Sequence, residues 1–285
     1  MLNKDRLLGR PHQRPVHARV ALALVFTLGL ALLRPVSAAT ASMCPDRPIR
    51  FAHYEFGLAY SSGYGGIDDD LQKELMRRSH CAFEVTVQPR ARTWADLKSG
   101  HIDMAGSGIR TADRDAFAWF FPYIVEDNVI VLGPRVPRSM RSFKAFLADP
   151  QLTLGGVRSF RYSPAYDAFV DQLILTRRHS EAADPGALFR MFEVQRFDAF
   201  ITNSLLYMYY VRVKGLPDPQ RIERWDPAGA TPSGLVLSKK AFTEAQAQQW
   251  AALIKAMLAD GSIEAIVVKH MGATLGPKVV YRGAQ

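Results

Sequence analysis

Within the run Arg92 to Tyr123, RTWADLKSGHIDMAGSGIRTADRDAFAWFFPY, Arg114 stands three residues after Thr111. A guanidinium is a planar fork that grips a carboxylate through two parallel N–H bonds. Thr111 is a candidate N-cap, with Asp113 and Arg114 in the first turn of the helix it opens. A helix start of this kind gathers unpaired amides and suits an anion. Just upstream, Gly106-Ser107-Gly108 reads as a polar loop where backbone can approach a ligand closely. Ser107 and the amides of Gly106 and Gly108 would add hydrogen bonds to whatever Arg114 holds. The competing assignment has Arg114 neutralised by Asp113, Asp115 or Glu126.

Other chemistry-bearing residues are fewer. Arg92, at the end of a strand candidate, and Arg161, with Arg158, in the loop RSFRYSP would add positive charge around the same ligand. The alternative for Arg158 and Arg161 is a solvated surface. Tyr54, Phe56 and Tyr60 could stack on a ligand or simply pack. Asp68-Asp69-Asp70 sits in a helix first turn, where the dipole favours carboxylates, and lacks the Gly-spaced loop and distal Glu of a calcium site. No Ser/His/Asp spacing, cysteine nucleophile or phosphate loop stands out, so an enzyme is not expected; two thiols without clustered histidines argue against a metal, and no cofactor is expected. Glu55 or His53 is the acid that an elimination enzyme would want near a carboxylate clamp, but His53 alternates with Phe51 on a strand and reads first as a packed or capped histidine.

The elements that must position these groups alternate between strands and helices. Ile49–Tyr54 and Phe83–Gln88 read as strands around a helix, Ile67 to Ser79, with Ile67, Leu71 and Leu75 on one face. Trp94, Leu97 and Ile102 give an apolar stripe that Ser99-Gly100 closes, since glycine accepts a left-handed cap. Ile102–Ala105 and Asn128–Leu132 are further strands, and Gly133-Pro134 marks a crossing into a second lobe. Ser142–Ala148, Ala165–Arg177, Leu188–Val194 and the Tyr-rich Leu205–Val213 read as helices. Leu152–Val157 and Phe197–Ile201 read as strands. A strand at 232–237 returns to the first lobe, and two terminal helices meet at an Asp-Gly turn. The pattern predicts an α/β fold of doubly wound sheets joined by two hinge crossovers: residues 44–134 plus 233–285, and 135–232.

The 285 residues carry a net charge of +9 and are 48% apolar, enough for a real core. Five basic residues before an apolar run, Val20 to Leu33, then the small residues Val36-Ser37-Ala38, predict a cleavable export signal over 1–38. That segment holds six Lys/Arg and one Asp, so the remainder is near +4. Such a chain is mildly basic, and no basic run is interleaved with aromatics, which argues against nucleic acid. Cys44 and Cys81 are the only cysteines. In an exported chain such a pair predicts a disulfide bridging the starts of two neighbouring parallel strands.

The central run, with GIDDDLQKELMRR at 66–78 and FTEAQAQQWAALIKAMLADGSIEAIVVKHMG at the C-terminus, resembles the bacterial family 3 periplasmic solute-binding proteins. These are polar-amino-acid receptors that feed ABC transporters. The resemblance implies a two-lobed Venus flytrap closing around a ligand, with Arg114 as the clamp for a ligand α-carboxylate. It also places Ser107, Gly108, Thr111, Tyr54, Ser159 and Asn203 at the ligand. The family has a Gly followed by Ser or Thr where this chain has Ser159-Phe160-Arg161-Tyr162, and three further positions depart from its pattern. Ile109 replaces a Ser or Thr, and Tyr54 and Asn203 replace carboxylates that normally hold an α-ammonium. Together with Arg92 and Arg161, this points to an amino acid or an organic anion. The expected protein is a periplasmic monomer that delivers this small molecule to an inner-membrane ABC permease. A sensor or accessory role, and a cyclohexadienyl-dehydratase-like enzyme, are the alternatives that the same resemblance carries.

Overall fold

A computed structural model describes residues 42–215 and 221–283. The expected export signal at 1–38 lies outside the described residues. Among the described residues no helix is long and apolar enough to cross a membrane.

The chain enters as β1 (Ile49–His53), α1 (Ile67–Ser79), β2 (Phe83–Val87), α2 (Arg90–Ser99) and β3 (Met104–Ile109). The stripe expected of α1 is the buried one, with Ile67, Leu71 and Leu75 inside and Asp68, Asp69 and Asp70 in the first turn. Helix α2 buries Trp94 and Leu97 and ends at Gly100, whose φ of 84° is the left-handed cap the sequence predicts. A short α3 (Ala112–Asp115) and the long strand β4 (Ala118–Glu126) follow. The first sheet has the order β2-β1-β3-β10-β4, where β10 is the returning strand Thr231–Ser238. Its β1–β2 and β1–β3 pairings are parallel, whereas β10 runs antiparallel to both β3 and β4.

The second sheet contains β5 (Asn128–Leu132), β6 (Leu154–Val157), β7 (His179–Ala182), β8 (Ala199–Asn203) and β9 (Ile222–Glu223), in the order β7-β6-β8-β5-β9. Its helices are α4 (Phe143–Ala148), α5 (Pro164–Leu175), α6 (Pro185–Glu193) and α7 (Ser204–Met208). The last of these widens into a π-helical turn at Tyr209–Val213. Again two pairings are parallel and two antiparallel, because β5 runs against β8 and β9. Helices α8 (Glu244–Ala259), α9 (Ser262–Met271) and α10 (Gly276–Val279) close the described chain. Helix α8 starts on a capping box between Thr243 and Gln246.

The expected crossing after Gly133-Pro134 needs correction. Strand β5 already pairs with β8, Asn128 opposite Asn203, so the chain changes sheet at Asp127, between Glu126 and Asn128. The sequence pattern places the apolar run in the first lobe, and nothing in its composition says which sheet it joins. The GSG segment is a second correction. It is the middle of β3 rather than a loop, and all six residues of that strand are buried.

The predicted disulfide is present between Cys44 and Cys81, with a Cα–Cα distance of 5.4 Å. It ties the chain entering β1 to the entry of β2, which pair in register from Ile49 opposite Phe83. Closing a loop of sequence separation 37 removes unfolded-state freedom worth roughly 3–4 kcal/mol. A Cys81→Ser variant, compared with the oxidised wild type by urea denaturation, is therefore expected to lose stability of about that size. The difference should vanish when both are measured in reductant.

Candidate functional site

The functional groups converge where the two sheets meet. Gly57, in the segment after β1, has φ 60°, and a Cβ there would stand 2.5 Å from the Leu205 carbonyl oxygen of α7. The backbone of the two sides is therefore in contact, and the Leu58 amide donates to that same carbonyl at 3.2 Å. Nearby, Phe56 meets Phe160 edge to face with centroids 5.5 Å apart.

Arg114 is buried at this junction, 5% exposed. Its guanidinium lies 3.6 Å from the centre of the Trp94 ring. Its Nη1 donates to the Ile109 carbonyl at 2.9 Å, and its Nη2 crosses to the Ser159 carbonyl of the second sheet's side at 3.1 Å. None of Asp113, Asp115 or Glu126 forms an ion pair with it. Asp115 pairs with Arg110, Asp113 accepts from the Thr111 hydroxyl, and Glu126 turns elsewhere. Burial, and then the nearby charge of Arg90, pull the Arg114 guanidinium below its ordinary value.

Arg90 is the group that sequence reasoning missed. It opens α2, is also 5% exposed, and has no hydrogen-bond partner for Nε or Nη1. Its guanidinium carbon sits 4.6 Å from the Tyr54 ring, 5.0 Å from Phe56 and 4.3 Å from Phe160. The first two rings come from the first sheet's side and the third from the second. Cation–π attraction holds the charge there, but rings do not satisfy N–H donors. In the sequence Arg90 looks like Arg92, two residues on. Only the turn of α2 separates them, sending Arg92 to the surface, 71% exposed and 3.3 Å from Asp96. The expectation that Arg92 faces the ligand is thus corrected.

Two buried carboxyls complete the cluster. Glu126 ends β4, and its Oε2 accepts from the Asn203 amide at 2.8 Å. Its Oε1 has no partner, and the Ser233 hydroxyl beside it falls outside hydrogen-bond geometry. Burial pushes Glu126 up to about 7, against the pull of Arg90. Asn203 also caps α7, with Oδ1 accepting from the Leu206 amide at 3.1 Å. An amide is what this position requires, because it must donate to a carboxylate and accept from a backbone N–H at once. The other carboxyl, Asp68, accepts from the Ser107 hydroxyl at 2.9 Å and from the Tyr123 hydroxyl. Burial raises it to about 6, with both hydroxyls opposing.

The remaining expected residues divide. Ser107, at φ 47°, is fully buried, with its amide held by the Tyr123 hydroxyl at 2.8 Å and its hydroxyl by Asp68. It shapes a bulge in β3, where the register against β10 shifts between Gly234 and Val236. The expected ligand role of Ser107 and Gly108 is corrected on that ground. A Cβ on Gly108 would meet Val236 at 2.1 Å, and one on Gly106 the Asp68 carboxyl at 2.6 Å. The space these glycines leave belongs to the core. Tyr54 donates to the carbonyls of Gly106 and Ser107 at 2.7 and 2.8 Å while its ring faces Arg90. Thr111 does precede α3, but its hydroxyl donates to Asp113 rather than capping the backbone. Ser159, at φ 64°, contributes its carbonyl to Arg114. Arg161 is half-buried, forms no ion pair among the described residues, and adds its charge to that acting on Arg114. Arg158 is exposed and pairs with Glu181.

Two mixed sheets joined by crossing strands, with buried arginines and carboxyls where they meet, define a two-sheet α/β fold with a charged cluster at its junction. The sequence matches the model for bacterial extracellular solute-binding proteins, family 3, over residues 50–273, and the chain belongs to that family. No curated protein matches it. Among solved structures it is similar to a solute receptor for L-cysteine of Neisseria gonorrhoeae (TM-score 0.65, 17% identity, 82% of this chain and 96% of that one). It is also similar to a histidine kinase sensor domain (0.64, 14%, 79% and 96%). A third similar structure is an ancestral amino acid-binding protein, a precursor of cyclohexadienyl dehydratase (0.62, 17%, 78% and 95%). At these identities the likeness shows the fold.

Glu126 makes the site's electrostatics measurable. A carboxyl raised on folding binds its proton more tightly in the native state, so stability falls as pH rises from 4.5 to about 7. Relative to the wild type, Glu126→Gln is expected to gain unfolding free energy across that interval, and to show no further change above it. Urea denaturation at pH 5, 6, 7 and 8 reads this directly.

Proposed function

We propose that this protein is an exported receptor that captures a small organic anion or amino acid between its two sheets. It would then present that ligand to an ABC permease in the inner membrane. The observation that carries this reading is the pair of buried guanidiniums, Arg114 and Arg90, neither in an ion pair with any described carboxylate. Buried cations are costly unless paired, and a ligand carboxylate between the two sheets supplies the missing partner. Family membership and two crossing segments that can hinge support the same conclusion. Tyr54, Ser159, Arg161 and Asn203 would act around this pair, the first two by holding the arginines and Asn203 by orienting Glu126. The solute receptor for L-cysteine is one similar structure whose described role agrees with capture.

A second reading, an elimination enzyme, gains one observation: the carboxyl of Glu126 is poised near neutrality with a free oxygen close to Arg90. The acids expected from sequence do not fit that role. Burial lowers His53 to about 4, which leaves it neutral and stacked on Tyr60 with centroids 4.2 Å apart. Glu55 accepts from the Ser62 amide at 3.0 Å and from its hydroxyl.

Thermal-shift screening of the purified protein against amino acids, dicarboxylates and keto acids separates these readings. A ligand at 100 times its Kd adds about 2.7 kcal/mol, which is a rise in Tm of roughly 5–10 °C for a chain of this size. A shift that persists indicates a receptor, and one that decays as the compound is consumed indicates an enzyme. Arg114→Ala is expected to abolish the shift. Retained affinity in that variant would remove Arg114 from the carboxylate clamp.

A further inference from the structure

Arg90 and Arg114 raise a question that one carboxylate does not answer. Each is buried, each is held by aromatic rings, and the charge of one acts on the other. Arg114 spends two donors on the Ile109 and Ser159 carbonyls, which fixes its plane and leaves other N–H groups free. Arg90 has no such anchor. Three rings pack around it, and Nε and Nη1 remain without partners. A carboxylate on Arg114 alone would leave those donors buried and unpaired, at a cost that folded proteins avoid. Arg161, without an ion pair among the described residues, adds to the positive field at Arg114. The nearest negative groups do not answer that field. Glu126 is held towards neutrality by burial, Asp68 is tied to Ser107 and Tyr123, and Asp113 is engaged by Thr111. Asp167, which feels both Arg161 and Arg114, accepts from the Tyr162 amide and forms no ion pair with either.

Resting on the receptor reading above, we infer that Arg90 is a second anion-recognition residue and that the ligand is a small dianion, one anionic group on Arg114 and the other on Arg90. Phe160 belongs to the second sheet's side, so the Arg90 cage is complete only when both sides are together. Recognition of the second charge is thereby coupled to closure. The chemistry is shared by simple dicarboxylates and by dicarboxylic amino acids, which differ in having an ammonium for the free Oε1 of Glu126.

Isothermal titration with isosteric pairs tests this: glutarate against glutaramate, succinate against succinamate, and L-glutamate against L-glutamine. Replacing one carboxylate by an amide keeps the shape and removes one charge. Dianions are expected to bind at least about tenfold more tightly than their amides, since charge-assisted bonds are roughly twice as strong as neutral ones. Arg90→Met should erase that ratio, the dianions losing more affinity than their amides. It should also raise the Tm of the ligand-free protein, because an unpaired buried charge is removed. Arg90→Lys keeps the cation without the fork and should retain part of the preference, which guards against a misfolded Met variant. Tighter binding of glutamate than of glutarate, lost in Glu126→Gln, would identify the amino-acid source. The reverse order would identify the simple acid. Equal affinities for dianions and their amides, or a ratio unchanged in Arg90→Met, would overturn the inference and leave the receptor reading standing. No binding of any of the six compounds would overturn the inference as well, while the receptor reading stands or falls on the wider thermal-shift screen.

Discussion

Two guanidiniums withdrawn from water between two sheets are the constraint on which this structure turns. A charge in the interior is tolerated only where rings, carbonyls or counter-charges replace its hydration. Arg114 has Trp94 beside it and two carbonyls at its edge, one from each side of the junction. Arg90 has rings alone. The difference divides the labour: Arg114 contributes to holding the two sides together, and Arg90 retains unmet hydrogen-bonding capacity.

The framework around them is correspondingly stiff. Asp68 reaches from the first turn of α1 to bind Ser107 and Tyr123, which ties the bulge in β3 to β4 on the far side of β10. Glycines at 106 and 108 exist because the Asp68 carboxyl and Val236 occupy the space that side chains would need. Glu126 and Asn203 then span the point where the chain changes sheet, and their bond couples β4 to β8. A buried carboxyl near neutrality at that point ties the local charge to ordinary pH, because Glu126 balances burial against the field of Arg90.

The departures from the family pattern form one arrangement. Asn203, where the resemblance expects a carboxylate, donates to Glu126, which brings a carboxylate to the junction from a different strand. Tyr54, where the resemblance expects another, uses its hydroxyl on the carbonyls of β3 while its ring faces Arg90. Neither Tyr54 on the first sheet's side nor Asn203 on the second brings negative charge to the junction, and positive charge is left without an internal partner.

The sequence by itself determined what depends on local pattern and on chain order. Helix α1 and its buried face, the glycine that ends α2, the cysteine pair and the alternation of strands and helices all follow from short-range rules: 3.6-residue periodicity, left-handed caps, and thiols in an exported chain. Arg114 was legible because its neighbours form a recognisable helix start. Tertiary structure decided the rest, because the deciding contacts join residues far apart in the chain. Whether β5 belongs to the first or second sheet depends on its pairing with β8, some seventy residues later. Whether Ser107 faces a ligand or the core depends on Asp68 and Tyr123. Arg90 and Arg92 have the same side chain and almost the same place in the sequence. Only the rotation of α2 against the aromatic residues of both sheets buries one and gives the other to water.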